Sequence, residues 1–249
     1  IVDGQGTFDP GRFMAGLLSR ATSAGVSVQE GARVVSVGGQ RGNLTLHLER
    51  GHLRAREVVF ATNGYTDRAV PFLNRRIVPV NGFMIATARV DAQTVASCLP
   101  GISCFHDLTA DVEFGRSADG GTRIVFGGNT GAMSGQLGSI SQHLARRLTT
   151  VFPQLADVEI DRGWTGACGA TFSGLPHIGM HEGIHYALGY CFGSGMPIGH
   201  WLGNKLAARI LDREKDARTA FAEIPIESRG WYWGRNWFAP FLRTYIRSK

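Results

Sequence analysis

The sequence predicts a mixed fold with both α/β and α+β character, and three observations lead to that prediction. Apolar runs with β-strand spacing alternate with segments of helical periodicity along the 249-residue chain. The 34 glycines follow no collagen-like period and indicate many tight turns. A hydrophobic content of 43% is enough for a substantial core.

The first third of the chain predicts one helix followed by strands. Asp9-Pro10 is a helix start signal, the following apolar residues recur at helical spacing, and Gly25 ends the helix. Strands are then predicted at 26–30, 33–37, 44–49 and 53–64. The last of these ends in Asn63-Gly64, and open α/β sheets bind ligands at the carboxyl ends of their strands.

The middle of the chain predicts a more antiparallel region. Strands are expected at 77–90 and 123–129, with a short helix between them and a longer helix over about 138–152. Pro153 follows the longer helix and ends it. A further strand over 158–167 then leads toward the last strand, glycine turn and helix, which occupy 187–211.

Composition argues against several classes of function. The net charge is +6, but the 26 Lys and Arg residues are scattered, so we expect a mildly basic surface and no nucleic-acid partner. The four cysteines form no CxxC pair, which predicts no metal site and favours a reducing, cytoplasmic setting. No apolar run approaches the ~20 residues that a membrane span needs.

The glycine-rich stretch at 193–199 has the spacing GxGxxxG, which differs from the dinucleotide fingerprint GxGxxG. Two interpretations remain open from these residues alone. Exposed N–H groups at the start of the following helix would favour an anionic or electron-rich group, or the turn is a plain connection. The aromatic tail from 228 to 249 is expected to pack back on the domain, with nucleic-acid stacking or a membrane interface as the alternatives.

Several segments, in this order, resemble the D-amino-acid-oxidase-like family of FAD-dependent oxidoreductases. They are "FDPGRFMAGLLSRATSAGVSVQEGARVVSV", "VVFATNGYTD", "RRIVPVNGFMIAT" and "GWTGACGATFSGLPHIG" leading into "ALGYCFGSGM". The likeness is greatest to the γ-glutamylputrescine oxidase-like branch, whose C-terminal extension resembles residues 221–247. The resemblance implies a glutathione-reductase-like FAD-binding domain, incomplete here, and a substrate domain with a mainly antiparallel sheet.

The resemblance also implies which residues hold the cofactor, non-covalently bound FAD. Val34 matches the backbone contact at the adenine end, and Ala61, Thr62, Asn63 and Gly64 match the strand end beside the cofactor. The turn formed by Gly193, Ser194, Gly195, Met196 and Pro197 matches the loop that approaches the flavin ring. Tyr65 and His177, with Met196, are the candidates for the substrate side of the ring, and no catalytic acid or base is assigned.

Three departures from the family pattern bear on the substrate. Cys168 stands where members that oxidise amino acids use an arginine for the substrate carboxylate. Val125 stands where some members use a lysine for oxygen activation, and Gly166 where some anchor FAD through a cysteine. The resemblance therefore implies oxidation of a small primary or secondary amine, polyamine-like or related, by hydride transfer to flavin N5.

The expected division places residues 1–74 and 161–215 in a partial FAD-binding domain, 75–160 in the substrate domain and 216–249 in an extension. Because the chain begins at Ile1 without the family's GxGxxG segment, we expect a fragment of a longer enzyme. The alternative is a non-enzymatic binding module or one subunit of a split flavoenzyme. The sequence does not give the oligomeric state, the particular amine or the electron acceptor.

Overall fold

The computed structural model describes residues 6–107, 112–128, 137–191, 194–234 and 237. Its helices are α1 (Pro10–Ser23), α2 (Pro71–Asn74), α3 (Ala92–Cys98), α4 (Leu137–Val151), α5 (Gly195–Ile210) and α6 (Glu214–Ala217). Its strands are β1 (Val34–Gln40), β2 (Asn43–Leu48), β3 (His52–Ala55), β4 (Val58–Phe60), β5 (Val78–Thr87), β6 (Cys104–His106), β7 (Phe114–Ala118), β8 (Arg123–Gly128), β9 (Ile160–Ala170), β10 (His177–His181) and β11 (Ile184–Leu188). The predicted mixed fold with antiparallel sheets is confirmed.

The first helix begins and ends where the sequence predicts. The Asp9 side chain accepts a hydrogen bond from the backbone N–H of Arg12 at 3.0 Å, which caps the helix, and Pro10 occupies the first turn. Gly25 follows with φ of +90°, a left-handed conformation that glycine adopts without strain. Local sequence signals are therefore sufficient to set both ends of α1.

The described residues pack as two compact units. Unit 1 takes its residues from 1–25, 81–166 and 237–249, and unit 2 from 26–80 and 167–236. The division predicted from the sequence instead groups the first helix with the flavin domain and treats 216–249 as separate. The assignment of cofactor and substrate binding to these units stays a prediction.

Unit 1 is built on a five-stranded sheet with strand order β6-β7-β8-β5-β9, in which β6, β7, β8 and β5 pair antiparallel in turn. Helix α4 buries Ile140, Leu144 and Leu148 in a core that includes Ile85 and Phe126 of the sheet. The same helix carries Arg147, whose guanidinium forms a bidentate ion pair with the buried carboxylate of Glu113. This pairing satisfies a charge that would be costly to bury alone.

Unit 2 contains two three-stranded sheets among the described residues. One is the antiparallel sheet β1-β2-β3, and the other has the order β10-β11-β4. In the second sheet β10 and β11 form an antiparallel hairpin, whereas β4 lies parallel to β11. Helix α5 packs Leu202 and Leu206 against Ile178 and Ala187 of this sheet, which fixes the position of the helix start.

Two of the predicted strands differ from the structure. Residues 26–30 form no strand, because they find no partner in the described chain and Val26 and Val28 are more than half exposed. The single strand predicted over 53–64 is two strands, β3 and β4. They belong to different sheets, with β3 paired to β2 and β4 paired to β11, so the chain must bend between them.

Residues 228–234 of the aromatic tail pack on unit 2, as expected. Tyr232 is 1% exposed, its ring contacts Phe172 edge-on, and its hydroxyl donates to the Ile77 carbonyl at 2.6 Å. Burial raises the pKa of Tyr232 to about 12. One buried and hydrogen-bonded aromatic therefore attaches the tail, while Trp231 and Trp233 remain about half or more exposed.

We expect Leu144→Ala to lower the free energy of unfolding by about 2–5 kcal/mol, because it leaves a cavity under α4. Leu144 is 1% exposed and packs in the main core of unit 1. The matched control is Leu18→Ala on α1, where the side chain is 53% exposed and the expected change is below about 0.5 kcal/mol. Urea titrations of both variants measure the difference, and equal midpoints would contradict this account of the core.

Candidate functional site

The parallel pairing of β4 and β11 brings two chain segments to one edge of a sheet. In this pairing Val58 lies opposite Ile184 and Phe60 lies opposite Tyr186, so both strands run toward the same side. The segments that come next in the chain, 61–65 and 189–191, therefore leave the sheet together. Small-molecule sites in open α/β sheets lie at such strand ends.

Asn63 joins these two segments. It lies in a 3-10 turn, Asn63–Tyr65, with φ of +48°, a left-handed conformation that asparagine tolerates better than most residues. Its amide nitrogen donates to the sulfur of Cys191 at 2.8 Å, and its amide oxygen accepts from the backbone N–H of Gly169 at 2.9 Å. One side chain thus connects the end of β4, the end of β9 and the segment after β11.

Gly64 allows the turn to lie directly against β9. A Cβ atom at this position would lie 2.5 to 2.6 Å from backbone atoms of Ala167 and Cys168, closer than carbon atoms approach without a shift of the backbone. The Tyr65 hydroxyl meets the same strand and accepts a hydrogen bond from the Ala167 N–H at 3.2 Å. The contact between 63–65 and 167–169 therefore depends on a residue without a side chain.

Cys191 and Cys168 are both half-buried at this point, and each affects the ionisation of the other. The Cys168 thiol lowers the pKa of Cys191 to about 6. Burial opposes this shift, and the Asn63 amide and the Gly169 N–H add to it. The same interaction, reinforced by burial, raises the pKa of Cys168 well above its usual range. At neutral pH the pair therefore holds one proton, with the negative charge on Cys191.

Helix α5 begins with several of the predicted cofactor residues. Ser194 occupies the cap position and is exposed, its side chain makes no capping hydrogen bond, and the first turn contains no acidic residue. Gly195 and Met196 are half-buried, and Pro197 is the third helical residue. The start of this 16-residue helix therefore presents backbone N–H groups and the positive end of the helix dipole. Gly193 lies outside the described residues.

A cleft of about 510 Å³ adjoins β4 and collects three of the other predicted residues: Val34, Thr62 and Tyr65. Its wall also includes Val59 and Phe60 of β4. This volume falls within the range of sites that bind small molecules and cofactors. Ala61 is exposed at the end of the same strand.

His177, which the sequence predicts beside the substrate, lies on β10 and is 1% exposed. One ring nitrogen lies 2.8 Å from the Ser173 hydroxyl and the other 3.1 Å from the Ile224 carbonyl. Burial lowers the pKa of His177, which keeps the ring neutral. With both nitrogens occupied, the ring is held by the core, and this geometry does not support a contact with substrate.

The amino-acid sequence alone does not predict that Cys168 and Cys191 are neighbours. Cys168 and Cys191 are 23 positions apart and do not form a spacing motif. Their proximity results from sheet order and from the contacts of Asn63, which no local pattern encodes. The Asn63-Gly64 pair at a strand end is the signal that points to this edge.

A model of the DAO family, described as FAD dependent oxidoreductase, matches residues 1–209 of the chain. The chain belongs to this family. The predicted family and its FAD dependence are thereby confirmed. The DAO match includes residues of both units and all the residues that the sequence assigns to the cofactor.

Similar proteins agree with the DAO assignment. The chain is 27% identical over 214 residues to the probable oxidoreductase OrdL of Rhizobium meliloti, a match that covers 86% of this chain and 49% of that protein. It is 30% identical over 179 residues to γ-glutamylputrescine oxidoreductase of Escherichia coli, covering 71% of this chain and 41% of that protein. The chain thus spans about half the length of the curated relatives that it matches.

Solved structures share the DAO fold. The iminodiacetate oxidase of Chelativorans superimposes with a TM-score of 0.65 at 20% identity, over 87% of this chain and 57% of that one. Within the described ranges, no group of three or more His, Cys, Asp or Glu side chains is arranged to hold a metal ion. None of the helices described for this DAO member is long and apolar enough to cross a membrane.

We expect the alkylation rate of Cys191 to follow a titration with a midpoint near pH 6, because the thiolate is the reactive form. The ordinary value is 9.0, so the folded protein keeps a thiolate where an unfolded chain holds a thiol. The contribution of Cys191 to stability is therefore present at pH 9 and is lost as the pH falls through about 6. Iodoacetamide labelling at a series of pH values, followed by peptide mass spectrometry, measures the midpoint.

The control for this titration is Cys168→Ser, which replaces the main thiol donor with a hydroxyl. A midpoint that moves in this variant supports the coupling between the two sulfurs. A midpoint near 9 in the unmodified protein would show that Cys191 is an ordinary thiol.

Proposed function

We propose that this chain forms the flavin-facing part of an enzyme that oxidises a primary or secondary amine, polyamine-like or related, with non-covalently bound FAD. The observation that carries the proposal is the convergence of the predicted cofactor residues on one edge of the β10-β11-β4 sheet. Asn63 and Gly64 lie at the end of β4, and α5 begins shortly after β11. Family membership supplies the cofactor class.

The residues of this edge fit a flavin nucleotide. The cleft beside Val34, Thr62 and Tyr65 is large enough for the adenosine end, and its apolar wall suits a nucleobase. Ser194, Gly195 and Met196 would offer backbone N–H groups to the electron-rich edge of the ring. When bound, FAD supplies the two-electron acceptor for a hydride from the carbon that carries the amine nitrogen.

The chain's own residues would set orientation and charge around the substrate. Tyr65 is 69% exposed, and its hydroxyl accepts a hydrogen bond from the Ala167 N–H. The hydroxyl end of the ring is therefore held in place, while most of the ring surface is accessible to a substrate. Met196 offers an apolar surface at the start of α5. We propose these two side chains as the substrate-facing residues and leave His177 as a support within the sheet.

Cys168 favours an amine over an α-amino acid. The raised pKa keeps its thiol neutral, so Cys168 cannot form the charged, two-point contact that a guanidinium makes with a carboxylate. The relative from Escherichia coli is named for γ-glutamylputrescine, which agrees with an amine of the polyamine type. We therefore propose a substrate that binds without a carboxylate group at this position.

We expect polyamine-type amines to reduce the flavin of the FAD-loaded protein faster than glycine, D-amino acids or L-proline. Anaerobic mixing with each compound, followed by loss of the visible flavin band, measures the order. Amino acids that outrun every amine would overturn the proposed substrate class. A protein that binds no FAD would overturn the proposed enzyme and favour a binding module.

A side chain at Gly195 should weaken flavin binding. A Cβ there would lie 3.2 Å from the Tyr190 carbonyl oxygen, so Gly195→Val requires a shift of a few tenths of an ångström between this carbonyl and the start of α5, and we expect the helix N–H groups to move with it. The matched control is Gly203→Val in the same helix, where the added Cβ meets nothing within 4 Å beyond the neighbouring residues and backbone of the helix itself. We expect flavin content to fall at least about tenfold in the first variant only, as for a lost preorganised contact. Equal flavin content in both variants would show that the turn is only a connection.

A further inference from the structure

The proposed amine oxidation does not use the two sulfurs at the site as reactants. Cys168 and Cys191, called here the thiol pair, lie in unit 2 beside Asn63. The Asn63 amide nitrogen donates to the Cys191 sulfur at 2.8 Å, a contact that a thiolate keeps, whereas the amide oxygen, 3.1 Å from the same sulfur, accepts only from the protonated thiol. The sulfur is therefore held in place by a side chain that is itself fixed to Gly169, the neighbour of Cys168.

Cys168 is also held in place. The backbone of Cys168 packs directly against Gly64, where an added Cβ would lie 2.6 Å from its carbonyl carbon. The turn that carries Asn63 is thus pressed against the strand that carries Cys168. Two cysteines from different parts of the chain are held together by one loop, so their approach is part of the folded structure.

The charge state of the thiol pair suits a reactive sulfur with a resolving partner. A pKa of about 6 makes the thiolate the major form of Cys191 at pH 7. Cys168 stays protonated beside that charge because ionising it would place two negative charges together. Once Cys191 has been oxidised and has lost its charge, this repulsion disappears.

The other two cysteines provide an internal comparison. Cys98 is 8% exposed, and burial raises its pKa, so it should react slowly. Cys104 is exposed on β6 in unit 1. If exposure alone governed oxidation, Cys104 would react before the half-buried thiol pair.

We propose that the thiol pair is a redox site at which a hydroperoxide oxidises Cys168 and Cys191 to a disulfide that thiol reductants reverse. The Cys191 thiolate attacks one peroxide oxygen, which forms an S–O bond and breaks the O–O bond. The leaving oxygen departs as hydroxide or alkoxide and takes up the proton that Cys191 had released. The product at Cys191 is a sulfenic acid.

The Cys168 thiol completes the reaction. Its sulfur attacks the sulfenic sulfur, the S–S bond forms, and the hydroxyl leaves with the Cys168 proton as water. Two electrons have then passed from the two thiols to the peroxide. The disulfide removes the thiolate that accepts from the Asn63 amide, so oxidation alters the contacts of a residue assigned to the cofactor.

The test uses hydrogen peroxide at small molar excess and neutral pH, with free thiols counted and peptides mapped without reduction. We expect the count to fall from the four cysteines of the sequence to two, with one cross-linked peptide that joins Cys168 to Cys191. A thiol reductant should restore four. These readouts need no turnover, so they remain informative if the proposed amine oxidation is wrong.

Three variants distinguish the steps. Cys168→Ser should stop at a sulfenic acid on Cys191 that dimedone traps, and Cys191→Ser should slow thiol loss at least about tenfold. Cys104→Ser, the matched control outside the thiol pair, should still lose two thiols at the unchanged rate. Oxidation of Cys104 as fast as Cys191, or a disulfide that involves Cys98 or Cys104, would overturn the proposal.

Discussion

The parallel pairing of β4 with β11 is the interaction that creates the candidate site. Parallel strands end at the same edge of a sheet, so residues 128 positions apart, Asn63 and Cys191, come within hydrogen-bonding distance. Had β4 paired antiparallel, the two segments would leave at opposite edges. Strand direction, rather than any single side chain, therefore brings the two segments together.

Packing then fixes the elements next to this sheet edge. Helix α5 is held against the sheet by Leu202 and Leu206, which are almost fully buried, so its first turn has a defined position. Gly64 lets the turn after β4 lie against β9 at a distance that a side chain would prevent. The apolar face of α5 thus holds the helix on the sheet, and the absence of a side chain at Gly64 allows the turn to approach β9.

Cys168 and Cys191 share one proton, and this determines the charge at the sheet edge. The Cys168 thiol and the Asn63 amide stabilise a thiolate at Cys191, and that thiolate keeps Cys168 neutral. In the proposed function, the neutral Cys168 thiol takes the place of the cation that would bind an amino-acid carboxylate. The consequence for chemistry is a nucleophile held beside a second sulfur. Both result from the same pair of residues.

The family, the mixed fold class and the ends of α1 can be predicted from the amino-acid sequence, because capping residues, periodicity and ordered motifs are local signals. The sequence also points to Asn63-Gly64 and to the start of α5, since small residues at strand and helix ends have a recognisable spacing. The prediction is wrong for 26–30 and for the split between β3 and β4, because a strand exists only where a partner accepts its hydrogen bonds. The approach of Cys168 to Cys191 and the burial of the His177 ring were decided by the packing of the folded chain, since contacts between distant segments depend on sheet order and burial.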